Sequence, residues 1–186
     1  MTTMLDISGQ SCLVVGGGGV ALRKVEGLLA EKAQVTVVAL NAVENLIQLA
    51  TAEKIVLKQR GYHSKEAAQF SLVFAATNNR EVNRQIFQDA KKAQVWVNVV
   101  DDPELCTFHL PARVQRGPFQ IAIASAGYAP FVVRRLRRLF EQRIGPEWAE
   151  WMQAAGRFRQ YVRKLELPRV EQEKRYDKIF QATDNP

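Results

Sequence analysis

The sequence predicts an α/β protein: a doubly wound, mostly parallel sheet, then a strand pair, then a helical C-terminal region. Three observations carry this. Short apolar runs alternate with amphipathic stretches up to about residue 104, the order expected of βαβ units. Four consecutive glycines, Gly16 to Gly19, separate the first apolar run from the first helical pattern. From Pro130 onward the strand-like runs cease and helical spacing takes over.

The elements follow in order. A strand over 12–15 is ended by the glycine run, and a helix then places Val20, Leu22, Val25, Leu28 and Leu29 at helical spacing. Gln34 to Leu40 is the second strand and closes a βαβ unit of about 30 residues. Strands are expected at 55–59, 71–77 and 95–100, helices at 42–53 and 80–93, and a shorter helix near 65–70. The run Val95 to Val100 reads as buried on both faces and stops abruptly at Asp101 and Asp102. "CTFHLPARVQRGPFQIAIAS" then reads as two short strands around an Arg-Gly-Pro turn at 116–118. A helix starts near Pro130 and runs to about Arg143. Gly145-Pro146 breaks it, a long helix spans roughly 147–166, and after Leu167-Pro168 a last helix ends near Ala182. Trp148, Trp151, Phe158 and Tyr161 read as the apolar stripe on which the long helix packs.

At 186 residues and 47% hydrophobic, the chain can bury a real core and is not disordered. No apolar run approaches the ~20 residues of a membrane span, and "MTTMLDISGQ" lacks the pattern of a secretory signal. Cys12 and Cys106 are expected to be free thiols in a reducing, cytoplasmic compartment. Two distant histidines, His63 and His109, specify no metal site. The net charge of +7 is unevenly placed. Residues 1–112 carry 11 Lys/Arg and 11 Asp/Glu, whereas residues 113–186 carry 15 and 8 and hold the whole excess. That excess fits a solvated helical face or a polyanionic partner. No nucleic-acid recognition motif accompanies it.

Gly16, Gly18 and Ala21 fit G-x-G-x-x-[GA] between two strands, the Rossmann fingerprint. Gly16 permits the tight turn, Gly18 lets backbone approach a pyrophosphate, and Ala21 allows close helix–strand packing. Gly16, Gly18, Gly19 and Val20 are therefore candidates to cradle the phosphates of a dinucleotide; a purely structural turn is the other reading. The second strand ends without the usual ribose-binding acid. Leu40 and Asn41 stand in its place, and no Arg stands ready for a 2′-phosphate, so the motif does not choose between NAD and NADP. Thr77 and Asn78, at the end of the fourth strand, are candidates for cofactor contact, though the stretch also reads as a helix cap. Asp101 stands where ligands bind in open α/β sheets, with turn capping as the plainer alternative. Asp102 reads as turn chemistry before Pro103.

Three stretches taken together, "VVGGGGVALRKVEGLL", "AATNNREVN" and "VNVVDDPELCTFHLPARVQRGPFQIAIASAGYAPFVVRRLR", resemble precorrin-2 dehydrogenase, the NAD-dependent enzyme of sirohaem synthesis that is also the N-terminal module of sirohaem synthase. The resemblance covers about residues 5–145 in order. It implies that precorrin-2, a tetrapyrrole with eight carboxylates, gives a hydride to NAD and loses a proton to become sirohydrochlorin. It implies a homodimer, and ferrous iron as a further substrate if the chain is also a ferrochelatase. It makes Asp101 the functional acid and places Ser125 in the substrate cleft. Arg113, Arg116 and Arg134 are expected among the cations that meet the carboxylates, since Arg gives bidentate contacts. His109 lies in a matching stretch. The chain departs from the family at Asn79, where Asp is more usual, and at Ala126, where Gly or Asn is. The domain reading is a NAD-binding domain at 1–112, a dimerisation and substrate-cleft segment at 113–145, and a helical domain at 146–186, with no methyltransferase module expected. The alternative function is a NAD-sensing Rossmann regulatory module, which usually carries the second-strand acid missing here.

Overall fold

Five strands form a wholly parallel sheet: β1 (Ser11–Val15), β2 (Gln34–Val38), β3 (Val56–Lys58), β4 (Leu72–Ala75) and β5 (Trp96–Val99), in the order β3-β2-β1-β4-β5. A computed structural model describes residues 3–181, and the chain divides between His109 and Leu110 into two compact units. The sheet and its helices α1 (Gly19–Ala30), α2 (Glu44–Thr51) and α3 (Arg80–Lys92) make the first unit. A 3₁₀ turn at Glu66–Gln69 stands where the short helix near 65–70 is expected.

The central strands β1 and β4 are buried almost end to end, because helices cover both faces. On one face Val14, Val37 and Phe74 pack against Ala21, Val25 and Leu28 of α1 and Leu46 of α2. On the other, Leu13, Val73 and Val97 pack against Ile86 and Ala90 of α3 and Ala67 of the 3₁₀ turn. Each such Val or Leu contributes about 1.5–3 kcal/mol by leaving water.

β5 departs from the expected two-sided burial. Val97 and Val99 are buried, but Trp96 is 51% exposed and Asn98 is half-buried. The reason is topological: β5 is the sheet's edge. Its open edge is covered by the following segment rather than by another strand. The Thr107 N–H donates to the Val97 carbonyl, the Val97 N–H to Thr107 Oγ1, and the Val99 N–H to Cys106 Sγ at 3.2 Å. This blunts an edge that would otherwise template pairing with another chain.

The second unit starts with an antiparallel hairpin, β6 (Ala112–Arg116) and β7 (Phe119–Ile123), turning at Gly117-Pro118, where Gly117 takes a positive φ of 56°. Helices α4 (Pro130–Arg143), α5 (Glu147–Lys164) and α6 (Arg169–Gln181) follow. The expected end of the last helix, near Ala182, lies outside the described residues. Trp148 meets Phe119 at 5.1 Å and Trp151 at 5.7 Å between ring centres, both tilted, and Phe158 meets Tyr176 edge-on. Tyr161, expected on this stripe, is exposed, and Val162 is buried instead.

Candidate active site

Every candidate in the first unit lies at the carboxyl edge of the parallel sheet, on the turns after β1, β2, β4 and β5. Strand order reverses between β1 and β4, so the crevice of an open α/β fold opens there.

The glycine turn is built by steric exclusion. Gly16 has φ 125°, its N–H donates to the Val38 carbonyl, and a Cβ on it would strike the Ala76 carbonyl. Gly17 is just as constrained, although the fingerprint leaves its position free. A Cβ there would strike the Asn41 carbonyl and Ala42, and the Gly17 carbonyl accepts from the Val43 N–H. Gly18 and Gly19 differ: nothing lies within 4 Å of where their Cβ atoms would be. Gly18 is the N-cap of α1, with extended backbone and no side-chain cap. The first amides of α1 therefore face open space at the positive end of the helix dipole. This bare cradle fits a pyrophosphate, and Ala21, fully buried, lets α1 lie close on β1. After β2, Leu40 is 74% exposed and Asn41 is exposed beside it.

Thr77 and Asn78 are placed differently from one another. The Thr77 hydroxyl donates to Asn83 Oδ1 at 2.7 Å and accepts from the Asn79 N–H, so it serves the start of α3. Asn79 caps that helix, its Oδ1 accepting from the N–H groups of Glu81 and Val82. Asn78 is exposed.

Asp101 follows β5 with a left-handed backbone, φ 59°, which Asp tolerates better than most residues. It is exposed, whereas Asp102 is mostly buried. The Asp102 carboxylate takes Arg80 Nε at 3.3 Å, and its carbonyl accepts from the Leu105 N–H in the turn. The two neighbouring acids thus face different surroundings. Cys106 Sγ also meets the carbonyls of Val99 and Asp102, and burial pushes its thiol up. Both cysteines are free thiols.

Lys24 was not among the expected site residues. It is half-buried, with Nζ 5.4 Å from the Phe74 ring centre. Burial pulls its titration down, Arg23 adds to this, and Asp101 and Cys106 oppose it. Its position, three residues after Ala21 and four before Leu28, marks a lysine on the buried face of α1, a signal the sequence does carry.

In the second unit, Arg116 is committed to the chain's own carbonyls. It donates to Ile144 at 2.8 Å, Gln115 at 2.9 Å and Glu141 at 3.0 Å, tying β6 to the end of α4. Ser125 Oγ accepts from the Ala129 N–H at 3.1 Å, ahead of α4. Arg113 and Arg134 are exposed. Among the described residues there is no cluster of three or more His, Cys, Asp or Glu fit to hold a metal ion, and no helix is long and apolar enough to cross a membrane.

A parallel sheet in this order with a bare glycine cradle defines a dinucleotide-binding protein, and the chain belongs to the family described as putative NAD(P)-binding, whose model matches residues 3–112. It is 38% identical over 178 residues to a sirohaem synthase of Vesicomyosocius okutanii subsp. Calyptogena okutanii (strain HA), covering 95% of this chain and 38% of that protein. It is 46% identical over 138 residues to a sirohaem synthase of Pseudoalteromonas translucida (strain TAC 125), covering 72% of this chain and 29% of that one. The chain thus spans about a third of the length of these curated relatives. Among solved structures it matches SirC, precorrin-2 dehydrogenase, with a TM-score of 0.84 and 25% identity, over 96% of this chain and 88% of that one. The resemblance to the precorrin-2 dehydrogenase module is borne out by these relatives, and so is the α/β fold with its strand pair and C-terminal helices.

Proposed function

We propose that the chain oxidises precorrin-2 to sirohydrochlorin with NAD, as a precorrin-2 dehydrogenase. The observation that carries this reading is the match to SirC along nearly the whole chain, with Asp101 at the sheet edge that also bears the glycine cradle. The alternative of a NAD-sensing module is not favoured, because no observation here calls for it. The amides of Gly18, Gly19 and Val20 hold the pyrophosphate, and Gly16 and Gly17 keep the turn tight enough to do so. Leu40 and Asn41 border the ribose, and Asn78 lies at the same edge. NAD, when bound, supplies the hydride acceptor. As the tetrapyrrole loses a hydride it must also lose a proton, and Asp101 takes it. The net change is one hydride to NAD and one proton released.

The substrate's carboxylates are met by cations of the second unit, Arg113 and Arg134 with their neighbours on α4, while Ser125 lines the cleft. Arg116 is left out of this set because its guanidinium already serves three carbonyls. A homodimer is supported by the apolar side chains of Phe131, Val132, Leu136 and Leu139, which α4 leaves exposed. Residues 1–112 are then the cofactor domain, 113–145 the dimer and cleft segment and 146–186 the helical domain. Two free thiols suit a cytoplasmic setting. Ferrous iron enters as a substrate if the chain also chelates.

Anaerobic incubation with precorrin-2 and NAD, followed by absorbance, tests the reading. Asp101→Asn should fold and bind NAD, since Asn also tolerates the left-handed backbone, yet lose about 10²–10⁴ in rate. Asp102→Asn should stay close to normal turnover. An inactive wild-type protein sinks the function, and near-normal turnover in Asp101→Asn sinks the role of that residue.

A further inference from the structure

Asp101 keeps a left-handed backbone, φ 59°, and a residue other than glycine stays in that region when its surroundings hold it there. The holding groups lie on either side of it. Before the acid, the Val100 N–H donates to the Ala75 carbonyl at 2.9 Å and the Val99 N–H donates to Cys106 Sγ at 3.2 Å. After it, the Asp102 carbonyl accepts from the Leu105 N–H at 3.1 Å and lies 3.3 Å from the same sulfur. Cys106 Sγ is also 3.3 Å from the Val99 carbonyl and takes Asn98 Nδ2 at 3.6 Å. One thiol therefore spans the turn from Val99 to Asp102, with Asp101 between its points of attachment. Its proton is shared by the two carbonyls while its lone pairs accept the two N–H donors. Each such bond is weak, but together they tie one side chain to both flanks of the acid.

We propose that Cys106 is a positioning residue for Asp101: its thiol clasps the backbone on both sides of the acid and fixes the direction in which the carboxylate leaves the sheet edge. The inference rests on the reading of Asp101 as the proton acceptor. A general base acts only within hydrogen-bond reach of the proton it takes, and a displacement of about 1 Å costs up to about 100-fold in rate. Thr107, the next residue, supplies the comparison. It clasps the same edge strand at Val97, farther from the acid: its N–H donates to the Val97 carbonyl at 2.8 Å and its Oγ1 accepts from the Val97 N–H at 2.8 Å. Thr107 covers the strand, and Cys106 sets its end.

Steady-state oxidation of precorrin-2 by NAD tests this. Cys106→Ala should lower kcat by about 10–100-fold with unchanged NAD affinity. Cys106→Val, closer to cysteine in volume, serves the same purpose if the alanine protein does not fold. Cys106→Ser keeps a donor and an acceptor and should restore most of the lost rate. Thr107→Val should unfold more readily in urea yet turn over as the wild type does. In an Asp101→Asn background, Cys106→Ala should cost no further rate, because nothing is left to position. A normal kcat in Cys106→Ala overturns the proposal, as does a loss that Thr107→Val reproduces or that persists undiminished without Asp101. Amide hydrogen exchange in the ligand-free protein is independent of the activity. The Val99 and Leu105 amides should exchange faster in Cys106→Ala than in the wild type or Cys106→Ser. The Ala76 amide, bonded to the Val15 carbonyl within the sheet, should not change. An unmoved Val99 amide refutes the clasp even if the wild-type protein proves inactive on precorrin-2.

Discussion

Gly18→Asp separates folding from cofactor binding, because the two effects carry opposite signs. At Gly18 the backbone is extended, φ −88° and ψ −176°, and no atom lies within 4 Å of a new Cβ. The residue is also the N-cap of α1, which has neither a side-chain cap nor an acid in its first turn. Aspartate is a better N-cap than glycine by a few tenths of a kcal/mol, and a negative charge at a helix N-terminus adds about 0.3–1 kcal/mol. The ligand-free protein should thus be as stable as the wild type, or more stable by up to about 1 kcal/mol. Binding should go the other way. A carboxylate about 5 Å from one pyrophosphate charge, at an effective dielectric of about 20, costs about 3 kcal/mol. That is a loss of about 100-fold in NAD affinity. Gly17→Ala is the paired control. Its methyl would collide with the Asn41 carbonyl and with Ala42, so the loop after β2 must move, at about 1–3 kcal/mol of stability. Urea unfolding measures the first effect and titration calorimetry the second. The reasoning fails if Gly18→Asp binds NAD as the wild type does, or if it unfolds as readily as Gly17→Ala.

Two further outcomes concern pH. Burial pushes the Cys12 thiol up to about 11 from an ordinary value of 9.0, so the folded chain keeps a proton that the unfolded chain loses. The resulting stability is fully present below pH 9.0 and declines toward about pH 11, by about 2–3 kcal/mol over two pH units. Cys12→Ala should flatten that decline in urea unfolding series, and an unchanged slope would show that Cys12 does not titrate as stated. Glu66, buried at 6% exposure, accepts two bonds from the Arg60 guanidinium, which hold its carboxyl below the ordinary value. Its contribution is present above the ordinary pKa of 4.5 and is lost as pH falls through the lowered one. Glu66→Gln should reduce stability at neutral pH and unfold with a shallower acid limb, and equal acid midpoints and slopes would refute the assignment.

The first unit was legible because its elements are coded locally. β1 from Cys12 onward and all of β4 are apolar, α1 repeats its apolar residues at helical spacing, and the glycine run falls between two strands. The same local reading placed Gly16, Gly18 and Ala21 by their backbone needs. It missed Gly17, whose constraint comes from Asn41 and Ala42 on the loop after β2. It misjudged β5 for the same reason: Val95 to Val100 is an apolar run in sequence, but only the strand order makes it an edge. Cys106 and Thr107, unremarkable as residues of a loop, become the cover of that edge.

By itself, then, the sequence determined the order of the elements, the dinucleotide turn and the acid at the sheet edge, since hydrophobic period and glycine backbone freedom act over a few neighbouring residues. Only the tertiary structure decided how donors and acceptors far apart in the chain are shared. It binds Arg116 to the carbonyls of Glu141 and Ile144. It pairs Asp102 with Arg80 and leaves Asp101 exposed. Hydrogen bonds and charge act between groups close in space, and only the folded chain sets those distances.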